Sequence, residues 1–175
     1  MSALPSYVPS EQDELLNLLL QANEAGIKLE IVGGKHTWEA FPGFLHQEHV
    51  DRIRASIKRT QGSHADCACI HAADVYVGFA DGSIKRPDVS IFCSRPQEME
   101  GVIRQIPKAV IEVISVGHEQ KDLEDGPKLY LAQGVLDVVV FDPQRSKVHH
   151  FDAAGEHVHA SPVTLDLKCG CQVTA

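Results

Sequence analysis

The 175-residue chain lacks any long hydrophobic run, and its N-terminal residues lack the features of a secretion signal. Its longest apolar stretches, such as residues 18–20 and 138–141, are far shorter than the ~20 residues that a membrane-spanning helix needs. The first residues carry neither a basic region nor the apolar region that follows it in a signal peptide. We therefore expect a cytoplasmic protein.

The chain also lacks an excess of basic residues. Lysine and arginine number 16, against 24 aspartates and glutamates, which gives a net charge of −8. This balance excludes a protein that coats nucleic acid through bulk positive potential, although a local basic groove stays open. The carboxylates suit a site for a divalent cation. Apolar residues make up 43% of the chain, which is typical of a folded protein, and its length favours one domain over residues 1–175.

Cysteine is scarce and odd in number, which does not suit a closed framework of disulfides. The five cysteines are Cys67, Cys69, Cys93, Cys169 and Cys171. The two Cys-x-Cys pairs could supply four thiolates to zinc, but the usual zinc spacing has two to four residues between cysteines. Buried thiols without a function are the alternative.

The pattern of apolar residues predicts an α/β protein. Amphipathic spacing predicts helices at 10–26 and 44–60, and a third helix follows from Pro127 and ends near Gly134. Strands are predicted at 27–32, 35–40, 67–71, 74–80, 89–93, 109–114 and 135–141, followed by a small C-terminal β-meander. These elements favour a central mixed β-sheet flanked by helices.

Three carboxylates stand out against this background. Glu112 interrupts an almost wholly apolar strand, where an ionised group needs a cation, a donor or a proton. If the strand that begins after Asp88 pairs nearby, the two acids repel, and a divalent metal such as Mg²⁺ or Mn²⁺ reverses that penalty. Glu30 lies within another apolar strand, although simple alternation would turn it towards water. The alternative for each acid is a solvated or salt-bridged side chain on an edge strand.

Five short motifs follow one another along the chain. They are Arg-Pro-Asp-Val at 86–89, Val-Ile-Glu-Val-Ile-Ser at 110–115, Asp122 with a downstream Lys and Tyr130, Gly-Val at 134–135, and Val-Phe-Asp-Pro at 140–143. Their order resembles the Uma-type restriction endonuclease family, a branch of the PD-(D/E)XK nuclease superfamily. Residues 29–34 resemble the family's first Glu strand and turn, and His46 is placed like a family histidine. The resemblance covers about residues 10–145.

This resemblance implies a restriction-endonuclease-like core that hydrolyses DNA phosphodiester bonds with Mg²⁺ or Mn²⁺ as cofactor. It implies that Asp88 and Glu112 bind the metal, with the carbonyl of Val113 as a further ligand, and that Glu30 completes the acidic cluster or orients water. Because many nucleases of this fold cut both strands as dimers, it also implies a homodimer.

The catalytic lysine departs from the family pattern. The usual superfamily position, two residues after the Glu, is Ile114, and the position used by the Uma-type branch is Gly126. Lys128 lies about 200° around an uninterrupted helix from that position. Since Gly126-Pro127 favours a late helix start, we expect Lys128 to reach the site as the catalytic lysine. Lys121 is a weaker substitute.

Two functions are consistent with these features. The first is a Mg²⁺-dependent DNA endonuclease, and the second is a catalytically degenerate nuclease fold that binds nucleic acid or a protein partner without cutting. A zinc-stabilised structural protein is a third reading. Weak DNA contacts are predicted from basic residues on the second helix and beside the metal strand, the alternative being a solvated surface. These residues are Arg52, Arg54, Lys58, Arg59, Lys85 and Arg86.

Overall fold

The structure is a computed structural model that describes residues 11–40, 42–62, 66–98, 100–115 and 121–175. The helices in these ranges are α1 (Glu11–Glu24), α2 (Phe44–Ser56) and α3 (Gly126–Ala132), and a π-helical turn (Lys121–Asp125) leads directly into α3. In the described part of the chain, no helix is long and apolar enough to cross a membrane.

The strands form three sheets. The strands are β1 (Ile27–Val32), β2 (Lys35–Ala40), β3 (Lys58–Arg59), β4 (Ile70–Ala73), β5 (Val77–Gly78), β6 (Ile84–Lys85), β7 (Val89–Phe92), β8 (Ala109–Val113), β9 (Asp137–Asp142), β10 (Lys147–Asp152), β11 (Gly155–Ala160), β12 (Thr164–Asp166) and β13 (Cys171–Thr174). The central sheet has the order β11-β10-β9-β8-β7-β4, and the two smaller sheets have the orders β2-β1-β6-β5 and β12-β13-β3.

The central sheet is mixed, as the sequence predicts. Strands β8 and β9 are parallel, while the other neighbouring pairs of this sheet are antiparallel. A parallel pair needs a crossover, and here the chain between β8 and β9 contains the π-helical turn and α3. The crossover places α3 beside the carboxyl end of β8, where Glu112 lies.

Alternating side chains of the central strands build an apolar core on each face of the sheet. On one face Ile111 and Val139 pack in one cluster with Ile53 of α2, and on the other Val110 and Val138 pack with Tyr130 of α3. This is the period-two pattern of a strand that is covered on both sides. The prediction of an α/β fold with a mixed sheet flanked by helices is therefore confirmed.

The structure differs from the predicted elements where pairing with distant residues decides the backbone. Helix α2 ends at Ser56 rather than near residue 60, because Lys58 and Arg59 form β3 and pair with β13. The predicted strand at 67–71 begins only at Ile70. Of the predicted C-terminal meander, β10 and β11 form a hairpin that pairs with β9, whereas β12 and β13 join β3 in a separate sheet.

Candidate active site

Two carboxylates lie side by side at the ends of neighbouring strands. Because β7 and β8 are antiparallel and pair Val89 with Ile111, Asp88 and Glu112 are the next pair along. The backbone N–H of Asp88 donates to Glu112 Oε2 at 3.1 Å, and the N–H of Val113 donates to Asp88 Oδ2 at 2.8 Å. These bonds fix both acids in the arrangement that the sequence predicts.

Both carboxylates line a small cleft, which we call the acidic cleft. Its lining residues are Lys28, Pro42, His46, Asp88, Glu112, Val113, Ser115, Lys121 and Asp122. They come from β1, the start of α2, the end of β8 and the π-helical turn, together with the residues that flank these elements. The cleft is therefore assembled by the fold from segments that are distant in sequence.

Cationic groups surround Asp88 on the side that faces the cleft. Lys28 Nζ lies 3.6 Å from Asp88 Oδ1, and His46 Nε2 lies 3.2 Å from the same oxygen. Burial alone would raise the pKa of Asp88, but the hydrogen bond from His46 and the charge of Lys28 outweigh it and lower this pKa. Conversely, burial would lower the pKa of His46, but the contact with Asp88 raises it. Asp88 is thus held ionised.

Glu112 has the opposite electrostatics. Burial raises the pKa of Glu112, and the negative charge of Asp88 raises it further. The Tyr130 hydroxyl donates a hydrogen bond to Glu112 Oε1 at 2.6 Å. Burial and the nearby Glu112 raise the pKa of Tyr130 well above its ordinary value, so the phenol keeps its proton and stays a donor. The site therefore holds two adjacent acids whose like charges are only partly compensated.

Glu30 lies behind the cleft in a shell of positive charge. It forms ion pairs with Lys85 and, at 3.1 Å, with Lys121, and it accepts the backbone N–H of Arg86 at 2.9 Å. Burial would raise the pKa of Glu30, but Lys85 and Lys121 outweigh it and hold it well below its usual range. The side chain is buried, so the expectation that strand alternation turns Glu30 towards water is wrong.

Lys28 is a cleft residue that the sequence reasoning missed. It lies two residues before Glu30 on β1, so both side chains project from the same face of the strand. Both are buried, and the charges of Asp88, Glu112 and Glu30 outweigh the desolvation that would lower the pKa of Lys28, so this pKa is raised. The sequence signal that could have identified Lys28 was its position two residues before a glutamate in a predicted strand.

The predicted lysine and the lysine that the structure places in the cleft are different residues. Lys128 is exposed on α3 and is not among the residues that line the cleft, whereas Lys121 lines it from the π-helical turn. The reason is that helical structure begins at Lys121 rather than at Pro127. A Cβ on Gly126 would lie 3.2 Å from the Lys121 carbonyl oxygen, so glycine suits this crowded turn.

The predicted DNA contacts divide into exposed and internal residues. Arg52, Lys58 and Arg59 are exposed, although the last two lie on β3 and not on helix α2. Lys85 is buried against Glu30. Arg86 donates to Asp74 Oδ2 at 2.7 Å and to Asn23 Oδ1 at 2.9 Å, so its guanidinium is engaged within the protein.

The donor set of the cleft fits a hard divalent cation. Two carboxylates from adjacent strands converge beside the backbone of Val113, and oxygen ligands of this kind are those that Mg²⁺ and Mn²⁺ prefer. Burial and, after it, the charge of Asp88 raise the pKa of Glu112, and a cation between the two acids would relieve the repulsion between them. The residues present therefore fit the metal that the family resemblance implies.

Comparisons with known proteins identify the family and the fold of the chain. The sequence model of the Uma2 family, described as "Putative restriction endonuclease", matches residues 12–168. The chain belongs to this family. Four chains of solved structures match it, among them the crystal structure of a "putative nuclease" from Anabaena variabilis, with 20% sequence identity and a TM-score of 0.63. That match covers 86% of this chain and 87% of the other, and it shows that the Uma2 chain has a restriction-endonuclease-like fold. A search among curated proteins found no match.

Proposed function

We propose that this protein is a nuclease that hydrolyses DNA phosphodiester bonds with Mg²⁺ or Mn²⁺ in the acidic cleft. One observation carries the proposal: the buried Asp88 and the half-buried Glu112 are adjacent and open to a cleft that two lysines also line. An enzyme that binds a phosphodiester next to a metal needs this combination of hard oxygen ligands and positive charge. The family to which the chain belongs supports the same reaction class.

Each residue of the site has a distinct role in this proposal. Asp88, Glu112 and the carbonyl of Val113 would hold the divalent cation, which polarises a phosphate ester and makes water a better nucleophile at neutral pH. Lys28 and Lys121 place positive charge on the cleft wall, where it stabilises the negative charge that develops on the phosphate.

Two further residues position these groups. Glu30 anchors Lys121 through its ion pair, and the Tyr130 hydroxyl orients the carboxylate of Glu112. Lys121 takes the part that the sequence reasoning gave to Lys128. The exposed Arg52, Lys58 and Arg59 would make weak contact with the DNA backbone. The homodimer and the cytoplasmic location stay predictions from the sequence.

The test is cleavage of plasmid and oligonucleotide DNA with Mg²⁺ or Mn²⁺, and with both removed by a chelator. We expect nicked or linear products from the wild-type protein with metal, and no products from Asp88→Ala, Glu112→Ala or the chelated protein. Lys147→Ala, an exposed change on β10, is the matched control and should cleave like the wild type. Equal cleavage by the wild type and both acid variants would overturn the proposal.

A second function is favoured by the contacts of the same carboxylates. Asp88 is already paired with Lys28 and His46, and Glu30 with Lys85 and Lys121, so this chain's own cations partly compensate the acids. A catalytically degenerate protein that binds nucleic acid or a protein partner would show this pairing. It predicts Mg²⁺ affinity by calorimetry without cleavage of any DNA substrate, which is the result that separates it from the nuclease.

A further inference from the structure

All five cysteines of the chain converge in the core between the central sheet and the three-stranded sheet. They come from three places, namely the segment before β4 (Cys67 and Cys69), the end of β7 (Cys93) and the turn into β13 (Cys169 and Cys171). In the structure, disulfides join Cys67 to Cys93 and Cys69 to Cys171, and Cys169 is a buried thiol. The acidic cleft uses none of these residues.

Three of the sulfur atoms are close enough to share one metal ion, and the fourth is bonded to one of them. Cys67 Sγ lies 3.6 Å from Cys171 Sγ, so the two disulfides touch. The sulfurs of Cys67, Cys69 and Cys171 all lie within 4.8 Å of one another, and Cys93 is bonded to Cys67. A tetrahedral zinc site with Zn–S bonds of about 2.3 Å has neighbouring sulfurs about 3.8 Å apart. The 3.6 Å between the sulfurs of Cys67 and Cys171 is close to this distance.

We propose that the reduced protein binds one structural Zn²⁺ ion through Cys67, Cys69, Cys93 and Cys171. Thiolates are soft ligands that select zinc over Mg²⁺, so this site is chemically distinct from the acidic cleft. The sulfurs of Cys93 and Cys169 both group with that of Cys67 and with each other rather than with those of Cys69 and Cys171. We choose Cys93 as the fourth ligand because its sulfur is the one bonded to that of Cys67.

The backbone holds these segments together without the sulfur–sulfur bonds. The N–H of Ala68 donates to the Cys93 carbonyl at 3.0 Å, which ties the segment before β4 to the end of β7. The N–H of Leu167 donates to the Cys171 carbonyl at 2.8 Å and closes the turn into β13. These bonds do not join the turn into β13 to the segment before β4, but Cys67 and Cys171 pack in one apolar core, which keeps the two segments together when the sulfurs are reduced.

The disulfide and zinc forms differ by a balanced exchange. Two molecules of a dithiol reductant give four electrons and four protons to the two disulfides, which become four thiols while the reductant forms two disulfides. Zn²⁺ then replaces the four thiol protons, so that four S–H bonds are lost and four S–Zn bonds form. In either form the cluster links β13 to the central sheet, and the zinc form needs no oxidising compartment.

The test measures metal content and not nuclease activity. The full chain is purified in a buffer with a phosphine reductant and no chelator, and zinc is quantified by plasma mass spectrometry. We expect about one zinc per chain in the wild type. Replacement by Co²⁺ should give the thiolate-to-cobalt charge-transfer absorption of a tetrahedral sulfur site. Both readouts are independent of whether the acidic cleft cleaves DNA.

Single cysteine variants identify the ligands. Cys69→Ser and Cys93→Ser change half-buried residues and should lower the zinc affinity by at least about tenfold, whereas Cys169→Ser is the matched control and should keep the full zinc content. The proposal is overturned if the reduced wild type takes up no added Zn²⁺, if Cys169→Ser loses zinc while Cys93→Ser retains it, or if the isolated protein contains iron and sulfide. Iron with sulfide would indicate an iron–sulfur cluster instead.

Discussion

The central sheet carries two pairs of carboxylates at its strand ends, and their hydrogen bonds and charges are satisfied in different ways. Asp88 and Glu112 face the acidic cleft, whereas Asp137 and Asp142 lie at the two ends of β9. Asp137 lies 2.9 Å from His150 Nε2 and accepts the backbone N–H of Lys168 at 2.9 Å. Asp88 is buried like Asp137 and Asp142, and Glu112 is half-buried, so burial alone does not distinguish a candidate catalytic acid from a structural one.

The difference lies in the neighbours of each carboxylate. Asp142 accepts the backbone N–H groups of Gln144 and Arg145, both at 3.0 Å, and thereby closes the turn after β9. One oxygen of Asp137 lies within 4.8 Å of one of Asp152, but His150 belongs to the same group and Lys168 forms an ion pair with Asp152. The donors to both acids of β9 come from turns and strands that the fold needs in any case. In the cleft, by contrast, two acids adjoin, and the charge of Asp88 helps raise the pKa of Glu112. Adjacent carboxylates that face a cleft and whose like charges are only partly compensated, rather than buried carboxylates as such, are the mark of a site.

The strongest test of this distinction is Glu112→Gln beside Asp137→Asn. Loss of a metal ligand removes several kcal/mol of transition-state stabilisation, so Glu112→Gln should lower DNA cleavage by at least about 10²-fold. Asp137→Asn should cleave at the wild-type rate once the measurement is scaled to the folded fraction. The measurement is the rate of DNA cleavage with saturating Mg²⁺. Equal losses of cleavage in the two variants would show that Glu112 and Asp137 do not differ in their contribution to the reaction.

The lysines of the crossover give the next largest effect. Lys121→Ala removes a positive charge from the cleft wall, and we expect it to lower kcat for cleavage by about 10- to 10²-fold. Lys128→Ala is the matched control from the same helical segment, and because its side chain is exposed it should change kcat by less than about twofold.

The fold of the Lys121 variant should survive, since Glu30 keeps its ion pair with Lys85. Circular dichroism and thermal unfolding check that point. If Lys128→Ala were the inactive variant, the sequence-based prediction that Lys128 is the catalytic lysine would be correct, and the assignment of Lys121 to that role would be wrong.

For the free energy of unfolding we expect the opposite order from DNA cleavage, with the larger loss in Asp137→Asn and little or none in Glu112→Gln. Asp137→Asn weakens two buried hydrogen bonds and should lower the free energy of unfolding by about 1–3 kcal/mol. Glu112→Gln should leave the metal-free protein as stable as the wild type or more so, because it removes the repulsion from Asp88. Urea unfolding in a chelating buffer measures both. A large loss of stability in Glu112→Gln would mean that this acid is structural as well.

The parts of the fold that the sequence predicts are those with a strong local signal. Strands β1 and β2 have the predicted bounds, because an apolar pattern on each side of Gly33-Gly34 is typical of a hairpin. Strand β8 and its glutamate follow from an apolar run with one charge in it. The pairing of Asp88 with Glu112 then requires only that β7 and β8 be neighbours.

The parts that could not be predicted depend on contacts between distant residues. The end of α2 is set by pairing of β3 with β13, more than a hundred residues later. Strand β6 has only two residues, too few to show a period, yet its Lys85 buries Glu30. The choice of Lys121 over Lys128 depends on a π-helical turn for which the sequence gives no periodic signal.

The smallest expected effect concerns pH and the turn that Asp142 closes. Burial would raise the pKa of Asp142, but the hydrogen bonds and charge of Arg145 outweigh it and lower this pKa. Because the folded-state pKa lies below the ordinary value of about 3.8, the stabilisation is present above that pH and is lost as the pH falls through the folded-state pKa. Asp142→Asn should therefore lower Tm at pH 7 by about 2–4 °C, and the difference from the wild type should shrink below about pH 4. Thermal unfolding of both proteins between pH 3 and 7 measures it, and a constant difference across that range would show that the carboxylate charge contributes nothing to the turn.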